Sequence, residues 1–412
     1  MAKASGLRGN RDFQRYWAGQ AISIFGSQIS LLAYPLLVLS LGGSAAQAGM
    51  VASGSLLTRT VCRLPAGHLV DRLDRRWLML WTDLVRFAAV GSIPVLAATG
   101  LLSYPQLLVV ALVEGVASAL FGPASTVAAR DVVPKEHLAE ALGRSQTSAS
   151  VAGLAGPLLG GWLFSVDRVL PFLCDSASYA VSAVLIFRIT IRSRPKPTAG
   201  QADRRLTAGI RWLGRQPVLL RALLFAGAVN LVGAAIDVAI VVALHAQGES
   251  SATVGVVLAC AGVGAVIGAV LATRIVRRLA PGTILVGVGV LGTTCLTAFA
   301  FTSSSWVMGG LLTVFFLLSP PAGIVVGQAL MLMIPHELLG RVSTAAGTLM
   351  AGMAAFGPGL AGLLQQAIGV SHTWLALALL TGAATLLGAF PLLREQGLVP
   401  APTPDVEREP AV

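Results

Sequence analysis

Apolar residues along the chain come in long unbroken runs, not at the period of two that marks a half-buried strand or in the narrow stripes of a soluble helix. Twelve runs approach the roughly 20 residues that a bilayer-spanning helix needs: 16–40, 48–69, 78–99, 105–128, 143–165, 170–190, 218–244, 252–273, 282–302, 306–330, 344–369 and 373–393. One longer polar stretch interrupts the series. Ile191 to Pro217 holds Arg192, Arg194, Lys196, Arg204, Arg205, Arg211 and Arg215, with Pro195 and Pro197. The pattern predicts an all-α polytopic membrane protein of twelve transmembrane helices, six in residues 1–191 and six in 218–394. A hydrophilic linker over 192–217 joins them, and a Pro-rich, acidic tail over 395–412 has the composition of a disordered segment.

Composition agrees. The chain is 55% hydrophobic and only 11% charged, with a mean hydropathy of +0.79, against about a quarter charged in soluble chains. A formal charge of +11 raises the question of nucleic acid. Binding it needs a basic surface on a soluble fold, and no such domain is left once the apolar runs are removed, so nucleic acid is not an expected partner. The basic residues instead alternate by side. One set of loops holds Lys3, Arg8, Arg11 and Arg15, then Arg72, Arg75 and Arg76, then Arg130 and Lys135, the linker cluster, Arg274, Arg277, Arg278, Arg341 and Arg394. The other set holds essentially Arg168. Both termini and the linker are therefore expected in the cytoplasm, with the chain in a bacterial-type inner membrane. The stretch Met1 to Gln14 lacks a signal-peptide cleavage site, so the first run is expected to be a retained helix. Cys62, Cys174, Cys260 and Cys295 all lie in apolar runs and are expected to be buried structural thiols.

The chain also repeats itself. Pro134 and Pro335 open two short loops, and Gly156-Pro157 and Gly357-Pro358 follow at the same distance in each copy. Gly161 and Gly362, and Gly67 and Gly268, share the same offset of 201 residues. Two duplicated six-helix bundles in parallel orientation are the expectation, as in one large class of transporters.

The charged hairpin between runs two and three carries a resemblance. Gly67-x-Leu69-x-Asp71-Arg72-x-x-Arg75-Arg76 is similar to the loop between helices two and three of the major facilitator superfamily, and the resemblance extends over nearly the whole chain. Asp74 departs from that pattern, which usually has Gly there. Asp-Arg-x-Asp-Arg-Arg, Asn10-Arg11-Asp12-Phe13, Phe121-Gly122-Pro123-Ala124, the Val133-Pro134 loop and Pro171-Phe172-Leu173-Cys174-Asp175 resemble the enterobactin-exporter-like and macrolide-efflux-like permeases. In run five, Gly156-Pro157-Leu158-Leu159-Gly160-Gly161 resembles the Gly-Pro-x-x-Gly-Gly motif of proton-driven antiporters, with Ala152 where the family has a further Gly. The resemblance implies alternating access between two bundles and favours export over import.

It also implies a gate at Gly67, Asp71, Arg72, Arg75 and Arg76. Asp71 would cap a helix of the opposite half and pair with a loop arginine when the cytoplasmic side closes. The offset puts Ala272 opposite Asp71, so the latch is expected to be one-sided. Ionisable residues within the runs are costly and mark candidate sites. Glu114 lies near the midplane of run four, and Asp237 late in run seven. Each is a candidate for proton coupling, and Glu114 also for contact with a cationic substrate; a structural hydrogen bond is the competing role. Gln28 and Asn230, near the midplane of runs one and seven, are candidate substrate contacts or helix-to-helix bonds. Asp83 and Arg86 stand three apart on run three and suggest an ion pair, with Arg59 a second possible partner for Asp83. No phosphate-binding loop, metal cluster or catalytic triad is present, so neither an enzyme nor a cofactor is expected. The expectation is a monomeric, proton-coupled exporter of a small amphiphilic compound such as a drug or siderophore-like metabolite. An importer or facilitator of a polar metabolite is the first alternative, and a non-transporting membrane sensor or assembly partner the second.

Overall fold

Polar breaks between the apolar runs become helix boundaries because they hold the groups that cap helices. The computed structural model describes residues 7, 9–190, 211–335 and 338–393, with the side chains of Leu64, His68, Asp71 and Lys135 outside that set. Most of the expected linker (192–210), the tail 395–412, Arg394 and His336 also lie outside the described residues. Among the described residues twelve long helices follow one another: α1 Arg11–Ser40, α2 Ala45–Arg72, α3 Arg75–Ala98, α4 Tyr104–Val132, α5 Leu138–Val166 and α6 Leu170–Phe187. Then come α7 Pro217–Ala246, α8 Ser251–Arg278, α9 Pro281–Ala300, α10 Ser305–Met333, α11 Leu339–Ile368 and α12 Val370–Leu393. No strand occurs among the described residues.

Asn10 opens α1 by accepting from the Phe13 amide (3.1 Å), and its own side-chain amide donates to the Val132 carbonyl (2.8 Å) at the end of α4. Ser44 and Gln47 form a reciprocal capping box on α2. Asp74, the departure from the family pattern, caps α3 by accepting from the amides of Arg76 (2.9 Å) and Trp77 (3.2 Å). Helices α4, α6, α7 and α9 carry proline in their first turn, where a missing N–H is not needed. Helix α10 breaks at Leu318, just ahead of Pro320 and Pro321. Several helices run past the apolar stretches that announced them: α5 begins at Leu138 and α11 at Leu339, because a helix keeps its hydrogen bonds beyond the hydrocarbon region.

Among the described residues, eleven helices are long and apolar enough to cross a membrane. The twelfth, α2, has 28 residues but carries Arg59 and Arg63, both exposed. Within the first six helices, α1 packs on α5 and α6, α3 on α4 and α6, and α2 on α4. Among the last six, α7 packs on α11 and α12, α8 on α10, and α9 on α12. The two sets meet chiefly through α2 on α11 and α5 on α8.

These meetings lie at one end. The end holding Arg72, Arg75, Arg130 and Arg278 is called here the basic end, and its opposite the far end. At the far end one apolar core takes Leu32 and Leu36 of α1 together with residues of α7 to α12, around Phe299 and Trp374 stacked at 4.7 Å. At the basic end each set keeps its own core, one around Phe13, Tyr16 and Phe121, the other around Leu219, Phe225 and Val342. Glycine permits the far-end contacts. A Cβ on Gly255 of α8 would lie 2.5 Å from the Pro157 carbonyl oxygen of α5, and one on Gly161 would lie 2.9 Å from the Gly255 Cα. The same relation joins α2 to α11, where Gly49 meets the Pro358 carbonyl, Gly362 meets Ala45, and the Gly359 amide donates to Ser53 Oγ at 2.7 Å. At the basic end the Cβ positions of Gly67, Gly143, Gly340 and Gly347 have nothing within 4 Å. Among the described residues the two sets are thus packed together at the far end and parted at the basic end.

Gly255→Leu is expected to destabilise this closed far end by about 1–3 kcal/mol, because the Pro157 carbonyl cannot yield as a side chain would. Gly347→Leu should stay within about 0.5 kcal/mol. Thermal unfolding of the two variants in one detergent checks the contrast; equal midpoints would show that the close approach is not used.

Candidate functional site

Apolar helices cannot leave a carboxyl without partners, and the first six helices solve this for Glu114 with two phenols. Glu114 lies near the middle of α4 and is 9% exposed. Tyr34 of α1 donates to its Oε2 at 2.9 Å, and Tyr179 of α6 donates to its Oε1 at 2.9 Å. The Tyr179 hydroxyl also lies 2.8 Å from the hydroxyl of Ser27 on α1. One turn along α1, Ser30 donates to Asp175 Oδ2 at 2.5 Å. Asp175 is wholly buried, and Ser178 beside it donates to its backbone carbonyl at 2.7 Å. Glu114 and Asp175 are thus held by adjacent turns of the same two helices, α1 and α6.

Arg86 of α3 flanks this cluster. Its guanidinium lies 5.3 Å from the Tyr179 ring centre and 5.1 Å from that of Phe121. It stands 3.7 Å from Asp83 Oδ1, the ion pair expected from their spacing, with Asp83 wholly buried. Neither Asp83 oxygen nor Arg86 Nε makes a hydrogen bond to another protein group. Arg59 makes no ion pair with Asp83. It is exposed on α2, and its backbone amide lies 3.2 Å from the Cβ position of Gly115, next to Glu114. Glu114, Asp175 and Asp83 are thus three buried carboxyls, of which Asp83 has the buried Arg86 as its ion-pair partner and Glu114 and Asp175 have hydroxyl donors.

The other expected residues are placed as follows. Asp237 is exposed although its neighbours Ile236 and Val238 are buried, and Asn230, seven residues earlier on the same face of α7, is exposed too. Asn230 donates back to the Ala226 carbonyl at 2.8 Å. Gln28 packs at the α1–α5 contact, its backbone carbonyl carbon 3.0 Å from the Cβ position of Gly156. Gly160 faces the Ile29 backbone, while Pro157 and Gly161 face α8. The Gly-Pro-x-x-Gly-Gly stretch is therefore the contact of α5 with both α1 and the second set of helices. In the charged hairpin, Gly67 is in open space, Arg72 is exposed, Arg75 pairs with Asp131 at 2.8 Å, and Arg76 donates to the Phe187 carbonyl. The Asp71 side chain lies outside the described set. No hydrogen bond or ion pair among the described residues links Glu114 to Asp237, Gln28 or Asn230.

Tyr34, Tyr179, Ser27 and Ser30 are the members that charge alone did not single out. Their signal was spacing. Ser27, Ser30 and Tyr34 fall on one face of α1, and Asp175, Ser178 and Tyr179 on one face of α6. Asp175 is a charge near the start of an apolar run, a position from which a side chain can reach the membrane surface; its complete burial excludes that. The cysteines also differ from expectation: Cys295 is buried, Cys62 and Cys260 are partly buried, and Cys174 is exposed.

The family model of the Major Facilitator Superfamily matches residues 16–358. The chain is 29% identical over 399 residues to the multidrug efflux pump Tap of Mycobacterium tuberculosis, covering 93% of this chain and 94% of that one. It is 29% identical over 178 residues to macrolide efflux protein A of Streptococcus pyogenes, covering 43% and 44%. Among solved structures, a D-xylose–proton symporter superposes with a TM-score of 0.73 at 15% identity, covering 94% of this chain and 98% of that one. A bacterial homologue of the iron transporter ferroportin, in an inward-facing state, superposes with a TM-score of 0.68 at 18% identity, covering 91% and 98%. With twelve helices in the order and packing of these transporters and the family model matched from helix one to helix eleven, the chain belongs to the Major Facilitator Superfamily.

Proposed function

We propose that this chain is a proton-coupled exporter of small amphiphilic, drug-like compounds that works by alternating access. The observation that carries the reading is the likeness to a multidrug efflux pump along 93% of the chain. The units that rock are residues 1–191 and 218–394, joined by the linker 192–217, with the basic end, both termini and the tail 395–412 in the cytoplasm. The asymmetric closure supports this: the far end is packed and the basic end parted, which on this orientation is a state open to the cytoplasm. The protein acts as a monomer, without catalytic chemistry and without nucleic acid.

Glu114 is the coupling acid in this reading. Its two phenol partners come from α1 and α6, so a change in its charge is felt on helices that pack against α5 and α3. Asp175 and Arg86 complete the set whose balance the proton changes. Asp237 is a second acid, facing away from the α7 core, and suits a cationic group or a proton. Gln28 and Asn230 are the neutral polar contacts of the substrate path, Asn230 after releasing the Ala226 carbonyl. Gly67, Asp71, Arg72, Arg75 and Arg76 form the cytoplasmic latch, which is open here: a Cβ at Gly67 meets nothing. Gly156, Pro157, Gly160 and Gly161 form the pivot on which α5 moves between α1 and α8.

Glu114→Gln is expected to lower pH-gradient-driven dye uptake into inverted vesicles, the equivalent of export from the cell, by about tenfold or more, equivalent to about 1.4 kcal/mol of lost stabilisation, while expression stays normal. Uptake at the original rate would remove Glu114 from coupling. Gly67→Val should fold normally, since the open state has room for it, yet stop transport because the latch cannot close. Accumulation assays in a pump-deficient host, set beside unfolding midpoints, separate this from a passive sensor, for which neither measurement would change.

A further inference from the structure

A groove of about 1050 Å³ runs along the flank of the first six helices, between α1, α5 and α6. Its volume is at the upper limit of the about 300–1,000 Å³ typical of pockets for drug-sized ligands. Its walls are mostly apolar and include Trp17, Ile22, Phe25, Val151, Cys174 and Val181. Helices α5 and α6 barely touch each other, so the groove stays open along its length while α1 forms its floor.

All three walls end in arginine at the basic end. Arg15 is seven residues before Ile22, so it lies on the same face of α1. Arg188, whose backbone is still helical at the end of α6, is seven residues after Val181 and on the same face. Arg144 lines the groove on α5. Arg15 donates to the Arg188 carbonyl at 2.8 Å, which places these two ends together. Arg11 adds a fourth positive charge on the first turn of α1. Two carboxylates oppose them, Asp12 at 3.3 Å from Arg15 and Glu140 at 2.9 Å from Arg144. The mouth is therefore net cationic above an apolar trough, with an indole at the boundary.

The geometry points to a binding site for one anionic phospholipid, its headgroup phosphate at Arg15, Arg144 and Arg188 and its acyl chains along the α1–α5–α6 groove. Acyl chains match the dry walls, and a phosphate matches surplus guanidinium at the level where headgroups lie. The α6 wall also carries Ser178, the neighbour and hydrogen-bond donor of Asp175, so the lipid would lie one side chain away from the buried acid cluster. The inference depends on the chain crossing the bilayer and not on the direction or coupling of transport.

Cys174 supplies a built-in reporter, being the exposed cysteine of the four and a wall of the groove. Full-length protein would be placed in nanodiscs of phosphatidylcholine with or without phosphatidylglycerol, and alkylation of Cys174 by a membrane-permeant maleimide timed. Retained lipid would be read in parallel by native mass spectrometry. Phosphatidylglycerol is expected to slow alkylation and to be retained in preference to phosphatidylcholine. R144Q with R188Q should weaken that retention by about tenfold or more, and Ala177→Trp, which fills the trough, should abolish it. R130Q, at the basic end but away from the groove, should leave it unchanged. Equal retention of the two lipids, or retention unaffected by R144Q with R188Q and by Ala177→Trp, overturns the proposal. It is also overturned if Ala177→Trp stops dye efflux while phosphatidylglycerol stays bound, because the groove would then take the transported compound. Transport could fail in every variant without touching these readouts, which keeps the lipid site separable from the exporter reading.

Discussion

Two helices bring their backbones into contact only where neither carries a bulky side chain, and the far end of this molecule uses that at both places where its two sets of six helices meet. Gly161 and Gly255 join α5 to α8, and Gly49 and Gly362 join α2 to α11. With those contacts made, Leu32 and Leu36 of the first set enter the core of the second, and the basic end has to part. The open surroundings of Gly67 are therefore a consequence of packing at the opposite end of the helices. In a bilayer the hydrophobic effect gives little preference for one helix contact over another, so such close packing decides the arrangement.

The acid cluster answers a different constraint. A hydrogen bond from a neutral donor to a charged acceptor contributes about 1.5–3 kcal/mol, and an unmet buried charge costs more. Glu114 meets this with two tyrosines from two helices, and Asp175 with Ser30. These bonds tie α1, α4 and α6 together just where α1 also contacts α5 through Gly156 and Gly160. The second set has no matching cluster among the described residues: the offset that aligns the glycines does not carry Glu114 or Asp175 onto an acid, since positions 315 and 376 are Phe and Ala. The repeat of the glycines thus does not extend to the buried acid cluster, which belongs to the first set.

Much of this was legible in the residue pattern. Twelve apolar runs foretell twelve helices to within about five residues at each end, since hydrocarbon thickness and cap chemistry act locally. The Gly-Pro repeat foretells the two symmetric contacts, because a close approach needs glycine whatever surrounds it. Asp74 was visible only as a departure from the family pattern; its role as the cap of α3 needed backbone geometry. Glu114 stood out as a charge in an apolar run, whereas Tyr34 and Tyr179 did not, because a tyrosine in such a run is ordinary until its hydroxyl is seen to meet a carboxylate. Cys174 defeated expectation for a related reason. An apolar run says that a residue is within the membrane, not which side of the helix it is on.

Helix α2 has a consequence for how the protein is made. Each arginine near the middle of a spanning helix costs about 2.5–3.5 kcal/mol at the moment of insertion, and α2 carries Arg59 and Arg63 while falling short of the apolarity of its eleven companions. Left alone at the translocon it is a poor substrate for partition into lipid. It becomes acceptable once α4, its principal neighbour in the first set, packs along one side of it and leaves Arg59 and Arg63 on the open side. That neighbour is synthesised two helices later, so the nascent chain has to hold α2 in a polar or shielded setting until α4 emerges. The helix that makes one of the two far-end contacts is thus the one whose entry into the membrane is the most dependent on assembly order.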